Sequence, residues 1–358
     1  MEKIPTKCSL SCSGNKNRVI LRGKISHQPV SGTDFRKEAG RVNARQFYTP
    51  DYFAPSSGGR IFPAPRSLHE ADGLLRLPNG SRLAFNAYGD PEGFPLLYFH
   101  DTGSSRLEAS LLHQGALRCG YRLIAFDRPG VGRSDYFVCK SPRSFCENLL
   151  SVLAELGIDR FGIVAKGGGG IYALHLCRMS PERVVAQVNL AGIPARALAS
   201  PSGACALLAG VIPLAVDRLL RLKQFFSPDE PGAVLDKLRE ELSFSDKKVL
   251  ARPEIADVLE ADQAESVRAG YRGMAQDLAI SFRKLEVPLE EIAVPTEIWH
   301  GCADRLTLRS DCEYLAARLP RARLHRVSQR GHFFFIHHMD QILGSLRRNS
   351  RESEMLLN

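Results

Sequence analysis

The sequence predicts an α/β fold, a mostly parallel, doubly wound sheet with a helical cap inserted into it. Two observations carry that reading. Short apolar runs alternate with segments of helical spacing from about Leu68 onward, and the alternation stops between residues 194 and 290, where only helical patterns occur. The alternation opens at Leu74–Leu77 and Arg82–Tyr88, which flank Pro78-Asn79-Gly80 and read as a hairpin. The later runs are Leu96–Phe99, Leu123–Phe126, Phe161–Ala165, Val184–Leu190, Glu297–Trp299 and Arg323–Val327. Between them, Arg106–Arg118, Ser144–Leu156, Gly168–Met179 and Asp311–Leu319 have apolar residues at helical spacing. Strands without a polar face, separated by such helices, belong to a parallel sheet covered on both sides. An insertion after the sixth run places the cap, about 194–290, over the strand ends where ligands bind in such sheets.

Residues 1–66 are of another kind. They show no sustained period, and Tyr48–Arg66 is dense in Pro, Gly and Ser, so little apolar surface offsets the entropy of ordering. They are read as a disordered basic arm, with residues 67–358 as the folded domain. The arm holds 12 basic and four acidic side chains, and so carries +8 of the chain's net +9. The domain itself is almost neutral, which argues against a nucleic-acid face on it. The nine cysteines are scattered, without a Cys-x-x-Cys pair or ligand spacing, so reduced thiols, no metal and a cytoplasmic location are expected. Import into an organelle through the arm is the alternative. The longest apolar stretch, Ala204–Val216, is 13 residues long and contains Pro213, too short and broken to span a bilayer.

Four stretches, in order, give the domain a family likeness. They are Tyr98–Ser105 (YFHDTGSS), Phe126–Ser134 (FDRPGVGRS), Gly162–Leu174, and Trp299–Asp304 (WHGCAD) together with Gly331-His332-Phe333. The set resembles the α/β-hydrolase superfamily, especially its soluble esterase-like members, over about 290 residues. The resemblance implies an oxyanion loop at His100–Ser105, a nucleophile elbow after the strand at Phe161, and an acid and base at Asp304 and His332.

The elbow departs from that family. Gly-x-Ser-x-Gly holds its serine in a strained strand-to-helix turn that lifts the hydroxyl above the sheet. Here the stretch reads Ala165-Lys166-Gly167-Gly168-Gly169-Gly170-Ile171-Tyr172-Ala173-Leu174, and Tyr172-Ala173-Leu174 sets the register so that the nucleophile's place falls on Gly167. Glycine keeps the turn and removes the chemistry. The oxyanion loop departs as well, because Asp101 follows His100 where the family usually has glycine. A carboxylate beside an oxyanion hole built from the backbone N–H groups of Thr102 and Gly168 would oppose developing negative charge. Asp304 and His332 remain at the family's spacing, as a candidate hydrogen-bonded general-base dyad. His100 is expected to pack beneath the loop, and the other histidines to be surface or packing residues.

Nucleotide readings of the glycine run fail: no Lys-Ser/Thr follows Gly167 as a P-loop needs, and Tyr172 stands where a dinucleotide fingerprint needs glycine. No cofactor is expected. The leading expectation is a non-hydrolytic, small-molecule-binding pseudoenzyme, with a small apolar or acyl-like ligand in a capped pocket. Phe225, Phe226, Phe244, Phe282 and Leu219 are candidate lining residues, against a background of ordinary core packing. A second reading has the His332–Asp304 dyad act as general base in hydrolase, lyase or cofactor-free oxygenase chemistry. A third gives the nucleophile's part to Ser104 or Ser105.

Overall fold

The computed structural model describes residues 72–193, 242–281 and 285–355, with side chains up to 347. The expected arm, 1–66, lies outside the described residues. So do 194–241 and 282–284 of the expected cap, with Leu219, Phe225, Phe226 and Phe282 among them.

The apolar runs form one sheet among the described residues. Its strands are β1 (Asp72–Arg76), β2 (Arg82–Gly89), β3 (Phe94–Phe99), β4 (Tyr121–Phe126), β5 (Phe161–Lys166), β6 (Val184–Leu190), β7 (Thr296–Gly301) and β8 (Ala322–Val327). Their spatial order is β1-β2-β4-β3-β5-β6-β7-β8. β1 pairs with β2, and β2 with β4, antiparallel; every other neighbour is parallel. The hairpin between β1 and β2 closes at Pro78-Asn79-Gly80, where Gly80 takes φ +82°. This is the mostly parallel, doubly wound sheet expected from the runs.

Alternate residues of each strand feed opposite cores. Leu97, Phe99, Ile124, Phe126, Ile163 and Ala165 face one side. That side is covered by helices α2 (Pro142–Glu155) and α3 (Gly169–Met179), with Cys312 and Leu315 of a later helix, Arg309–Arg318. Leu96, Tyr98, Leu123, Ala125, Val164 and Val188 face the other, under α1 (His113–Cys119) and the C-terminal helix Phe335–Met355. With both faces covered, the central strands are largely apolar, apart from buried Gln187 and Asn189 of β6 and Glu297 and His300 of β7.

One helical expectation changes. Arg106–Arg118 is not one α-helix: it opens as a 3-10 turn, Arg106–Leu112, before α1 begins at His113. A carboxylate from outside the segment caps this turn: Asp262 takes hydrogen bonds from the backbone N–H groups of Ser105 and Glu108, both at 2.9 Å. The described part of the insertion is helical: α4 (Phe244–Leu250), α5 (Pro253–Ser266) and α6 (Arg272–Ser281). Helices α7 (Arg309–Arg318) and α8 (Phe335–Met355) complete the chain. Phe244 is 74% exposed, so it does not line an enclosed pocket.

The chain runs from β3 outward to β4 and returns to β5 on the other side of β3, so consecutive connections diverge between β3 and β5. A sheet of this kind opens a crevice at such a switch point, at the carboxyl ends of the strands. Asp101 and Gly167 stand at that place.

Candidate functional site

β5 ends at Lys166 and α3 begins at Gly169, leaving Gly167 and Gly168 to make the corner. Gly167 takes φ +47°, in the left-handed region that suits glycine. Its N–H bonds to the Leu190 carbonyl at 3.0 Å, which fixes the corner against β6. A Cβ at Gly167 would lie within 2.5 Å of both carboxylate oxygens and Cγ of Asp101. The volume above the corner is therefore filled from the neighbouring loop.

That carboxylate is the centre of the site. Oδ1 accepts from the backbone N–H of Thr102 at 2.7 Å and of Gly168 at 2.9 Å. Oδ2 pairs with Nε2 of His332 at 3.1 Å and accepts from Lys166 Nζ at 3.2 Å. On the far side of the imidazole, Nδ1 lies 3.0 Å from Asp304 Oδ2. Asp304 is held in turn by the N–H groups of Leu306 and Thr307, at 2.8 and 3.2 Å, and by the Thr307 hydroxyl at 2.6 Å. His332 is thus clamped between two carboxylates. The expected pair His332–Asp304 is brought together, Thr102 and Gly168 point their N–H groups at one place, and Asp101 occupies it.

The charge states follow. Burial and the nearby Lys166 ammonium pull the His332 pKa down, but the hydrogen bonds to Asp101 and Asp304 outweigh them and raise it to about 9. The ring is an imidazolium at neutral pH. Burial would raise the Asp101 carboxyl, yet Lys166, His332 and the Gly168 N–H hold it well below the usual carboxylate range. Asp304 is opposed by burial too, and the His332 pairing brings it down to about 2. Lys166, only 2% exposed, is penalised by burial but kept charged by Glu108 and Asp101. Its ammonium sits 2.8 Å from Glu108 Oε1. Glu108 also accepts from the Tyr98 hydroxyl at 2.8 Å, so no carboxylate oxygen of this group is left dry and unpaired.

His100 is buried, with Nδ1 2.8 Å from the Asp101 carbonyl; burial first, then Arg128, holds its pKa well below the usual value. It lies beneath the loop as a neutral ring. Ser104 and Ser105 are turned away from the histidine, both hydroxyls donating to Asp262 at 2.6 Å.

Sequence reasoning did not reach the anchors that hold these loops. Each described cap helix contributes one buried aspartate. Asp246 of α4 accepts from the N–H groups of His332 at 3.0 Å and Phe333 at 2.9 Å, and from the Ser243 hydroxyl at 2.7 Å. Asp262 of α5 holds the loop after β3 at Ser104 and Ser105, and burial first, then Glu108, raises its carboxyl to about 7. Asp277 of α6 takes the Arg128 guanidinium at 2.7 Å and the Tyr172 hydroxyl at 2.8 Å, and Arg128 donates onward to the Asp101 carbonyl at 3.0 Å. The described cap helices are thus bonded to the His332 turn, to the loop after β3 and to Arg128. Asp246→Ala orphans two buried N–H groups and should lower unfolding stability by about 1–3 kcal/mol. The check is a urea titration, in which an unchanged midpoint would contradict this role.

Among the described residues no group of three metal-ligating side chains is close enough to hold an ion, and no helix is long and apolar enough to cross a membrane.

Comparison with known proteins agrees with the architecture. The model of the alpha/beta hydrolase family matches residues 87–344. A 2-hydroxymuconate semialdehyde hydrolase of Pseudomonas putida is 26% identical over 275 residues, covering 76% of this chain and 92% of that enzyme. A 2-hydroxy-6-oxononadienedioate/2-hydroxy-6-oxononatrienedioate hydrolase of Paraburkholderia xenovorans is 26% identical over 264 residues, 68% of this chain and 86% of the relative. The protein of that name from Paraburkholderia phymatum is 34% identical over 114 residues, where the match spans 40% of its length. Among solved structures, an esterase of Thermogutta terrifontis superposes with a TM-score of 0.62 at 18% identity, covering 79% of this chain and 99% of that one.

Proposed function

Because this chain belongs to the alpha/beta hydrolase family, we propose that it is a member without serine-hydrolase chemistry, a small-molecule-binding protein whose acyl-transfer site is closed by its own Asp101. The reading rests on one observation: the Asp101 carboxylate takes the space that a side chain at Gly167 would need, with one oxygen on two backbone N–H groups and the other on His332. Acyl transfer by this fold needs three things at that point: a nucleophile, a vacant pair of N–H donors for the oxyanion, and a neutral imidazole. Gly167 supplies no nucleophile. The donors of Thr102 and Gly168 are engaged. The imidazole of His332 is protonated at neutral pH, since its pKa stands at about 9.

Asp101 in this position imitates the charge of a tetrahedral intermediate, with one oxygen where the oxyanion would sit and another where the nucleophile's oxygen would meet the base. The likeness to a 2-hydroxymuconate semialdehyde hydrolase supports a site for a small ligand, and the activity in that name is not carried over with it. General-base chemistry through His332 and Asp304 is the weaker reading, because a proton held between two carboxylates leaves no lone pair on Nε2.

Incubation of the full-length protein with a fluorophosphonate probe and short p-nitrophenyl esters tests the proposal. The expected result is no covalent label and no turnover above buffer. Labelling of any residue, abolished by His332→Ala, would overturn it.

A further inference from the structure

The seam between α5 and the loop after β3 is closed by one buried carboxylate, that of Asp262. Its Oδ1 accepts from the N–H groups of Ser105 and Glu108 and from the Ser105 hydroxyl, and its Oδ2 from the Ser104 hydroxyl at 2.6 Å. All four partners are neutral. The charged and titratable groups around it are engaged elsewhere. Arg106 faces Asp127, Glu265 of α5 and Asp72, and Lys166 of β5 lies between Glu108 and Asp101. Tyr98 of β3 donates to Glu108, and Asp246 of α4 faces the His332 turn. Asp262 therefore has no cationic partner among the described residues, and the charged group that bears on it most is a second buried carboxylate, Glu108. The serine hydroxyls and the Ser105 N–H favour the ion, but burial and Glu108 outweigh them and raise the carboxyl from an ordinary 3.8 to about 7. A neutral acid fits the same contacts. A hydroxyl accepts as well as it donates, so a proton on Oδ2 can be donated to Ser104 Oγ while Oδ1 keeps its three donors.

We propose that Asp262 is a proton-operated latch: protonated, it seals α5 to residues 104–108, and ionised, it lets that loop open more often. The same loop carries Asp101, whose N–H donates to the Glu108 carboxylate at 3.2 Å, so loosening it loosens the group that fills the corner at Gly167. As regulation of the binding site proposed above, the latch rests on that reading. A carboxyl raised in the sealed state stabilises that state fully below 3.8, and the contribution fades as pH climbs through about 7. The site is shut in mildly acidic solution and opens towards alkaline pH.

Amide exchange at Ser105 and Glu108, followed by NMR on the full chain, reads the seam. After correction for the intrinsic pH dependence of exchange, opening should be about tenfold more frequent at pH 8 than at pH 6. Asp262→Asn keeps an acceptor oxygen for the three donors and an amide N–H for Ser104 but has no charge to gain, so its opening should not change with pH. Should that variant not fold, carbon-detected titration of the wild-type carboxyl decides, with a midpoint near 7 expected. A midpoint near 3.8 overturns the latch, as does an opening frequency that is flat in the wild-type protein or rises equally in Asp262→Asn. Covalent labelling is read separately, so a failed latch leaves the lack of ester chemistry standing. A labelled protein with a pH-dependent seam would remove the binding reading and keep the latch.

Discussion

The double variant Asp101→Gly/Gly167→Ser should cleave short p-nitrophenyl esters and take a fluorophosphonate label, while neither single variant does. Serine at 167 alone is the revealing case. Its Cβ would collide with the Asp101 carboxylate, whose oxygens and Cγ lie within 2.5 Å of that position. The corner's φ of +47° adds roughly 1–3 kcal/mol of backbone strain for a non-glycine residue. Gly167→Ser is therefore expected to be less stable and inactive, its hydroxyl competing with Asp101 for the same imidazole. Asp101→Gly alone frees the two N–H groups but supplies nothing to attack with. Only together do the changes restore a nucleophile, a vacant oxyanion hole and a histidine that loses its proton near neutral pH. General acid–base assistance of this type contributes about 10²–10⁴-fold, so turnover at least a hundredfold above either single variant is expected. Full activity in Gly167→Ser alone would mean that Asp101 does not obstruct the site.

Lys166→Met is the second change with a large effect, and it reads stability instead of turnover. The lysine's ammonium stands 2.8 Å from Glu108 and 3.2 Å from Asp101, at 3% side-chain exposure. Methionine fills similar space but leaves two carboxylates facing one another with only His332 and Tyr98 as counterweights. Breaking a buried ion pair from one side costs about 3–5 kcal/mol, because the partner's charge stays behind. Denaturant unfolding should show that loss with an unchanged slope. Adding Glu108→Gln, which removes the orphaned charge, should return part of it. A loss below 1 kcal/mol would mean the cluster is solvated and does not carry this charge balance.

Much of this was legible in the chain. Each run became a strand at its expected place; the central ones, such as β5, are buried along their whole length and leave a continuous apolar signature. The corner at Gly167 was readable from Tyr172-Ala173-Leu174, since the register of a strand–turn–helix is local. Asp101 was legible as an obstacle to the oxyanion but not as its occupant. That step needs the contact between Asp101 and Gly168, 67 residues apart, which no local pattern encodes. The aspartates of the cap were out of reach for the same reason: Asp262 meets Ser104 across 158 residues, and a lone acid on a helix reads as solvated surface until something buries it. The C-terminal helix Phe335–Met355 could have been found, as Ile342, Leu343 and Leu346 repeat at helical spacing, but the charged tail beyond them dilutes the pattern.

The Asp101 carboxylate holds the His332 imidazole in its charged form. A histidine whose pKa is raised in the folded state adds stability that is complete below the ordinary value of 6.5 and fades as pH climbs through about 9. A nitrogen-detected NMR titration of His332 in the intact protein reads this directly. The ring should stay doubly protonated past pH 8 and titrate near 9, and Asp101→Asn should bring its midpoint down by at least one unit. A midpoint near 6.5 in the wild-type protein, unmoved by Asp101→Asn, would show that Asp101 does not grip the imidazole and would contradict the closed site.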